Sequence, residues 1–377
     1  MRRARLPAAL AAALAIAGTA WAGHEMSVYP SYYPHEIVIA TMAPERAAAG
    51  LPSGGVHAWL GREPPFAGAM PDTVRAVESL GDFVVLRVNP AAAALQNDAA
   101  TCAATAAIAR EIAGRGGFTL HPYPVTPFHG DYLYHSDRAA AAQTRLVAAA
   151  SGTTAPLRVT AADAIAAAIP PQWRSPDAAW DVAVETIDAA GLAATAATTL
   201  NGWLGPPWVR TGWFQAVQLL ADATADDETR QRIAAMTARL EAGDYGDTLE
   251  RLNLERGLVG ALAGNCRRTV AGYTVKRQYF SAEFANGIEN IGFDAIAGLN
   301  SPIFLRTVKL KDFPWNGWLS LGIDARPQTA WNPIAGFADG FGRLLWAAVG
   351  DPALISAPYD SGWLLNRATD VQSSAAR

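Results

Sequence analysis

The segment E-I-V-I-A-T-M-A-P-E-R-A-A-A-G at 36–50 sets the fold class of this chain. Its first seven residues are mostly apolar or β-branched, which predicts a strand over 36–42. Pro44 then opens a short Ala-rich stretch. A proline in the first turn of a helix loses no hydrogen bond, so a helix is predicted over 45–49. A strand that leads directly into a helix is typical of α/β proteins.

The same short alternation continues along the chain. Apolar alternation and β-branched residues mark the strands, whereas Ala-rich stretches that end at Gly or Pro mark the helices. Further strands are predicted over 56–60, 83–88, 118–120, 157–160, 180–187 and 303–309, and helices over 73–80, 100–114, 137–150, 161–169, 189–197, 213–221, 227–242 and 248–262. The predicted fold class is α/β and two-lobed, with short βα units and a Trp/Gly/Pro-rich, irregular C-terminal part.

The N-terminus has the pattern of a secretory signal peptide. Three arginines lie within the first five residues, an apolar run follows over 6–17, and Ala20 and Ala22 occupy the −3 and −1 positions of a cleavage site. We expect cleavage after Ala22 and export to the periplasm. We expect no membrane insertion after signal removal, because no later apolar run reaches the roughly 20 residues that a membrane helix needs.

The length predicts more than one lobe. Removal of 22 residues from 377 leaves a mature chain of about 355 residues, which exceeds what one hydrophobic core usually serves. The predicted parts are a signal peptide at 1–22, a first α/β lobe with all the mature histidines at 23–150, a second α/β lobe at 151–270, and a mixed C-terminal segment packing on the lobes at 271–377.

The charge and the cysteines limit the partners and the compartment. The formal net charge is −4, and the mature chain is more acidic still because the signal arginines are removed. A nucleic-acid partner, which needs a basic face, is therefore not expected. Cys102 and Cys266 could form a disulfide in an oxidising compartment or remain two buried thiols, and the sequence leaves both possibilities open.

Histidines concentrate in H-P-Y-P-V-T-P-F-H-G-D-Y-L-Y-H-S-D at 121–137, which holds three of the six, and none lies downstream. His-rich segments with carboxylates suit a transition metal such as Zn, Cu or Fe, and the candidate ligands are His121, His129 and His135. Six residues of a straight strand span roughly 20 Å. His129 and His135 could therefore share an ion only across a turn, for which Gly130 is available. The alternative is that these histidines are hydrogen-bonded within the fold or lie on its surface.

Several catalytic motifs are missing from the sequence. It contains no H-E-x-x-H, C-x-x-C, C-x-x-C-H or G-x-S-x-G. This argues against a zincin, a thioredoxin-like protein, a c-type cytochrome and an α/β-hydrolase. We therefore expect ligand binding rather than catalysis.

Tryptophans recur in Gly- and Pro-containing segments. Two similar corners are A-W-L-G-R-E-P-P at 58–65 and G-W-L-G-P-P at 202–207, and their W-L-G triplets are 144 residues apart. Each corner comes after a predicted strand and an Ala-rich helix. A duplicated βαβ unit is one interpretation and chance is the other. A third segment is K-D-F-P-W-N-G-W-L at 311–319. Tryptophans in loops can stack on a ligand, although they can equally pack in the core. The candidates are Trp59, Trp203, Trp315 and Trp318.

A family resemblance rests on the signal peptide pattern, the strand at 37–42, the helix at 44–49, the passage G-L-P-S-G-G-V-H-A-W-L-G at 50–61, and the strand at 83–88 that runs into an Asn-Pro turn. With these features the front of the chain resembles a bacterial periplasmic solute-binding protein of the two-lobed α/β kind. The resemblance implies two lobes with a ligand cleft between them and a role in capturing a ligand for uptake or sensing.

The sequence thus favours an exported ligand-binding protein without catalysis, whose partners are a small-molecule ligand and a membrane transporter or sensor. The expected ligand contacts are Trp59, Trp203, His121, His129, Asp131, Trp315 and Trp318. One alternative is a periplasmic metal-binding protein or metalloenzyme that uses the segment at 121–135. Another is a structural or accessory protein of an exported complex, with its Trp/Pro surface as an interface.

Overall fold

A computed structural model describes residues 34–148, 157–175, 179–201, 206–223, 226–312, 317–328, 339–350 and 352–370. The predicted signal peptide, Trp203 and Trp315 lie outside these described residues, and so do residues 202–205 of the second corner of the proposed duplication. The duplication therefore stays a prediction. Among the described residues, no helix is both long and apolar enough to span a bilayer.

The described residues form an α/β structure, which confirms the predicted class. The strands are β1 (Glu36–Thr41), β2 (Ala58–Trp59), β3 (Val74–Val88), β4 (Thr119–Leu120), β5 (Val159–Ala161), β6 (Val182–Asp188), β7 (Arg268–Ser281), β8 (Ile288–Glu289), β9 (Lys309–Leu310), β10 (Trp318–Ile323), β11 (Leu354–Ser356) and β12 (Trp363–Leu365). The helices are α1 (Pro44–Gly50), α2 (Asp98–Ala113), α3 (Ser136–Ala148), α4 (Ala189–Asn201), α5 (Gly212–Leu220), α6 (Asp227–Ala242), α7 (Thr248–Leu262), α8 (Pro302–Thr307) and α9 (Gly340–Val349).

A mixed sheet of eight strands organises the fold, in the order β1-β10-β2-β7-β3-β6-β5, with β4 paired to β7. The long strands β3 and β7 run antiparallel to each other through its middle. At one side, β1, β10 and β2 are mutually parallel. The carboxyl ends of these three strands therefore meet at one edge of the sheet.

Two predicted elements are wrong, the helix at 73–80 and the strand at 303–309. The predicted helix at 73–80 is the first half of β3. Its buried residues Val74, Val77 and Leu80 are three apart, which imitates a helical face, but β7 supplies a continuous backbone partner. The predicted strand at 303–309 is mostly helix α8, which begins at a proline.

The central strand β7 was not predicted. Its sequence R-T-V-A-G-Y-T-V-K-R-Q-Y-F-S contains a glycine and three charged residues, and from 271 onward it falls in the part of the chain predicted to be irregular. The predicted helix at 161–169 is a 3₁₀ segment, Asp163–Ala168. Most other predicted helices and strands form within a few residues of their expected ends.

Helices cover both faces of the sheet around β3. Phe83 lies in a core cluster with Trp213 of α5 and Leu258 of α7, whereas its neighbour Val84 lies in a cluster with Ile108 of α2. Successive side chains of a strand point to opposite faces, so the two clusters lie on opposite sides of the sheet. A third cluster packs α8 and α9 against β2 and β10, near the edge of the sheet formed by β1.

A disulfide joins Cys102 of α2 to Cys266, just before β7, as one of the two expected alternatives. The two cysteines are 164 residues apart in sequence. The bond ties a helix that covers the sheet to the end of its central strand.

All three predicted parts of the mature chain contribute strands to the one sheet. β1 and β3 come from 23–150, β6 from 151–270 and β10 from 271–377, while β7 crosses the last boundary. The division into parts stays a prediction.

Candidate functional site

A cleft of about 420 Å³ lies beyond the carboxyl ends of the parallel strands β2 and β10. Its walls come from the turn after β2, the residue after β10, the middle of β7 and the start of α9. The lining residues are Leu60, Gly61, Arg62, Glu63, Val275, Lys276, Arg277, Asp324 and Phe341. Because β2 and β7 are antiparallel and pair Trp59 with Tyr279, the turn that follows β2 comes to lie beside Lys276 and Arg277.

The turn after β2 is held by hydrogen bonds on two sides. The indole N–H of Trp59 donates to the carbonyl oxygen of Arg62 at 2.6 Å, and the Arg62 backbone N–H donates to Asp324 Oδ2 at 3.0 Å. Only glycine fits at position 61, because a Cβ there would lie 2.5 Å from the Trp59 ring and 2.8 Å from Asp324 Cγ. The Arg62 backbone is thus fixed through its own N–H and C=O groups.

The acidic wall of the cleft consists of Glu63 and Asp324, whose carboxylates have unused acceptor positions. Glu63 Oε1 accepts a hydrogen bond from the Tyr279 hydroxyl at 3.0 Å. Burial, with the Glu63 interaction added, raises the pKa of Tyr279 to about 12, so this hydroxyl keeps its proton. An ionised carboxylate has about four acceptor positions. Glu63 and Asp324 can therefore accept further hydrogen bonds from a ligand.

The basic wall holds two side chains, Arg62 and Lys276, that have no ion-pair partner among the described residues. Arg277 donates to Glu78 Oε1 at 2.9 Å and is thereby paired. The side chains of Arg62 and Lys276 form no hydrogen bond or ion pair with a described residue. The positive charge of Lys276 does act at longer range to lower the pKa of Asp82, against the larger effect of burial. The cleft therefore offers two positive groups beside two carboxylates.

A second depression of about 370 Å³ lies between α6 and α7. Two of its lining carboxylates already accept hydrogen bonds, Asp247 from the Glu250 N–H at 2.8 Å and Glu250 from Arg239 at 2.7 Å. None of the residues that line this depression is basic, so it offers a ligand no positive group of the kind that the cleft has.

Two of the tryptophans predicted to contact a ligand, Trp59 and Trp318, lie among the described residues, and their surroundings differ. Trp59 is fully buried, and its role in the cleft is to hold the turn that carries Arg62. Trp318 is 68% exposed at the first residue of β10, the opposite end of that strand from the cleft. Their contacts with a ligand stay predictions.

His129 is a buried structural group. Its Nδ1 accepts the Thr126 backbone N–H at 2.9 Å, so Nε2 carries the proton and donates to Gln215 Oε1 at 2.9 Å. Burial lowers the pKa of His129, which keeps the ring neutral. The ring stacks on Phe83 with 6.1 Å between centroids. Both nitrogens are thus engaged inside the protein.

The structure does not bring the three candidate histidine ligands together. Nε2 of His121 donates to the Val125 carbonyl oxygen at 2.9 Å, and burial lowers its pKa. His135 instead lies with Asp131 and Glu255, and this is the one group of three or more potential ligands found among the described residues. Sequence reasoning missed Glu255, because it comes from a helix more than a hundred residues downstream.

The pKa values in this group are shifted by burial. Burial lowers the pKa of His135 to about 4. It raises the pKa of Glu255 to about 7, where the negative charge of Asp131 adds to the effect and Arg251 opposes it. Asp131 accepts the backbone N–H groups of Gly212 and Trp213 at 2.9 and 3.1 Å, and so caps α5.

No protein-family model and no curated protein matches the chain. Several solved structures match part of the chain. The oligopeptide-binding protein AppA from Bacillus subtilis is 13% identical with a TM-score of 0.39 over 71% of this chain and 59% of its own. MppA, a periplasmic murein tripeptide binding protein, is 14% identical with a TM-score of 0.40 over 71% of this chain and 55% of its own. An ABC transporter substrate-binding protein from Sinorhizobium meliloti is 15% identical with a TM-score of 0.37 over 72% and 59%.

By name these neighbours are an oligopeptide-binding protein, a murein tripeptide binding protein and an ABC transporter substrate-binding protein. The chain spans between half and three fifths of the length of the neighbouring structures.

Proposed function

We propose that this protein is an exported binding protein that captures a small solute in the cleft beyond β2 and β10. The observation that carries the proposal is the pair of basic side chains, Arg62 and Lys276, that line the cleft beside Glu63 and Asp324 and form no ion pair with any described residue. A solute that complements both walls carries a carboxylate and at least one amino group. Amino acids and short peptides have this chemistry.

The position and size of the cleft support the proposal. In open α/β sheets, ligands bind in crevices outside the carboxyl ends of strands. Small-molecule pockets usually enclose about 300–1,000 Å³, and the cleft encloses about 420 Å³. A guanidinium binds a carboxylate through two parallel hydrogen bonds, which also fixes the orientation of the solute. We assign no reaction to the cleft.

Export and delivery are part of the same proposal. The signal-like N-terminus supports export, and so does the bond between Cys102 and Cys266, because disulfides persist in oxidising compartments. The resemblance of 37–61 to solute-binding proteins supports a role in uptake or sensing, with a membrane transporter or sensor as the partner. N-terminal sequencing of secreted protein tests export, and we expect it to begin at Gly23.

A thermal-shift screen tests the binding function. Purified protein is melted with a panel of amino acids and di- and tripeptides, each paired with its C-terminal amide. We expect at least one free carboxylate to raise the melting temperature and its amide not to do so. Arg62→Ala should weaken that solute's binding roughly 10- to 150-fold, since a hydrogen bond to a charged group contributes about 1.5–3 kcal/mol.

Arg115→Ala is the matched control, because Arg115, just after α2, pairs with Glu111 at the end of that helix, and neither residue lines the cleft. It should leave the affinity unchanged. Equal affinity of the acid and its amide, or equal effects of the two arginine variants, would contradict the proposal.

A further inference from the structure

A compact group of three buried side chains lies among residues that the cleft does not use. One ring nitrogen of His135 and one carboxylate oxygen each of Asp131 and Glu255 lie within 4.8 Å of one another. The three residues are 0%, 7% and 3% exposed. We propose that this group binds a divalent transition-metal ion, Zn²⁺ being the best match.

His135 supplies the observation that points to a ligand. Its Nδ1 lies 3.0 Å from the Tyr123 hydroxyl, whereas its buried Nε2 has no hydrogen-bond partner among the described residues. Buried polar atoms almost always have a partner. Metal-binding histidines typically use one nitrogen for the ion and hold the ring through the other. With the proton on Nδ1 donated to Tyr123, the Nε2 lone pair is available to the ion.

The two carboxylates are placed by different helices. Asp131 is fixed because its oxygens accept the Gly212 and Trp213 N–H groups, and each oxygen keeps a further lone pair. Glu255 comes from α7, where its Oε1 forms an ion pair with a guanidinium nitrogen of Arg251 at 3.6 Å. An ion at this point would connect the loop before α3, the start of α5 and the middle of α7.

The neighbouring arginines have other partners. Arg256 donates to both oxygens of Asp137, at 2.8 and 2.7 Å. Arg138 donates to the backbone carbonyl of Arg256. Among the described residues, neither guanidinium forms an ion pair with Asp131 or Glu255.

The donor set fits zinc. One imidazole and two carboxylates are donors that Zn²⁺ accepts, with a water completing four-coordination. Ligand atoms about 2.1 Å from a tetrahedral zinc are roughly 3.4 Å apart, so side-chain movements of about an ångström bring a 4.8 Å group into range. Two carboxylates and a neutral imidazole also balance the charge of a divalent ion.

Titration of metal-stripped full-length protein with ZnCl₂, followed by calorimetry and elemental analysis, tests the site. We expect one tightly held Zn²⁺ per chain. His135→Gln and Glu255→Gln should each weaken binding by more than the roughly 10- to 100-fold that outer-sphere changes cause. His121→Gln is the matched control, because His121 lies in the same segment but outside the group, and it should bind zinc normally.

Circular dichroism of each variant separates a loss of zinc from a loss of folding. Absence of stoichiometric zinc, or equal affinities of His135→Gln and His121→Gln, would overturn the proposal. Anomalous scattering at the zinc edge, measured from crystals of the unmodified protein, locates any bound zinc without the use of variants. A peak between the three side chains supports the site, and zinc found only elsewhere, or not at all, refutes it. Solute capture in the cleft does not depend on this result.

Discussion

Replacing both Cys102 and Cys266 by serine should lower the free energy of unfolding by roughly 5 kcal/mol. The two cysteines are 164 residues apart. In the chain-entropy model a cross-link that closes such a loop removes about 17 cal/mol/K from the unfolded chain, or about 5 kcal/mol at room temperature. Both residues are half-buried, so the serine side chains add little cost of their own.

The expected change in melting temperature follows from the size of the protein. Unfolding entropy is about 2.1 cal/mol/K per residue, which gives roughly 0.7 kcal/mol/K for the mature chain. A loss of 5 kcal/mol therefore lowers the melting temperature by about 7 °C. Differential scanning calorimetry measures it. Each single serine variant is a control that also lacks the bond and should match the double variant.

Two results would refute this reasoning. One is a double variant that melts within about 1 °C of the unmodified protein, since this would contradict the loop-entropy estimate. The other is unmodified secreted protein with two reactive thiols under denaturing, non-reducing conditions. In that case the bond that ties α2 to the start of β7 would be missing from the protein itself.

Three further predictions concern packing and protonation. Gly61→Ala should destabilise the protein by about 1–3 kcal/mol through overpacking, whereas Gly114→Ala, whose Cβ would meet only one carbonyl at 4.0 Å, should not; thermal melting compares them. Gln215→Leu removes the acceptor of the buried His129 N–H and should cost about 1–3 kcal/mol in urea unfolding; a smaller loss would contradict the network. Burial lowers the pKa of His57, so the unfolded chain binds that proton first and stability should fall as pH drops below about 6.5; His57→Asn should show a shallower fall, and an equal slope would count against it.

The fold class was predictable because its signals are local. The strand at 36–42 and the helix after it are each specified by neighbouring residues, and the structure has them as β1 and α1. A helix is predicted for the first half of β3 because its buried residues Val74, Val77 and Leu80 have the spacing of a helix. Only pairing with β7, almost two hundred residues downstream, makes these residues a strand.

The candidate site was less predictable because it is assembled by long-range pairing. The corner at 58–65 was recognised, but for its tryptophan rather than for Arg62, which follows three residues later. Lys276 lies on the unpredicted strand β7 and reaches the cleft because β2 pairs with that strand. In the same way, His135 was a candidate ligand, whereas its neighbour Glu255 arrives from α7.

A crystal structure of the protein with the carboxylate solute that stabilises it most would show where capture occurs. We predict that the solute's carboxylate lies within hydrogen-bonding distance of Arg62 or Lys276 and that its amino group faces Glu63 or Asp324, inside the cleft beyond β2 and β10. A solute bound elsewhere on the protein, with these four side chains making no contact to it, would contradict the proposed function.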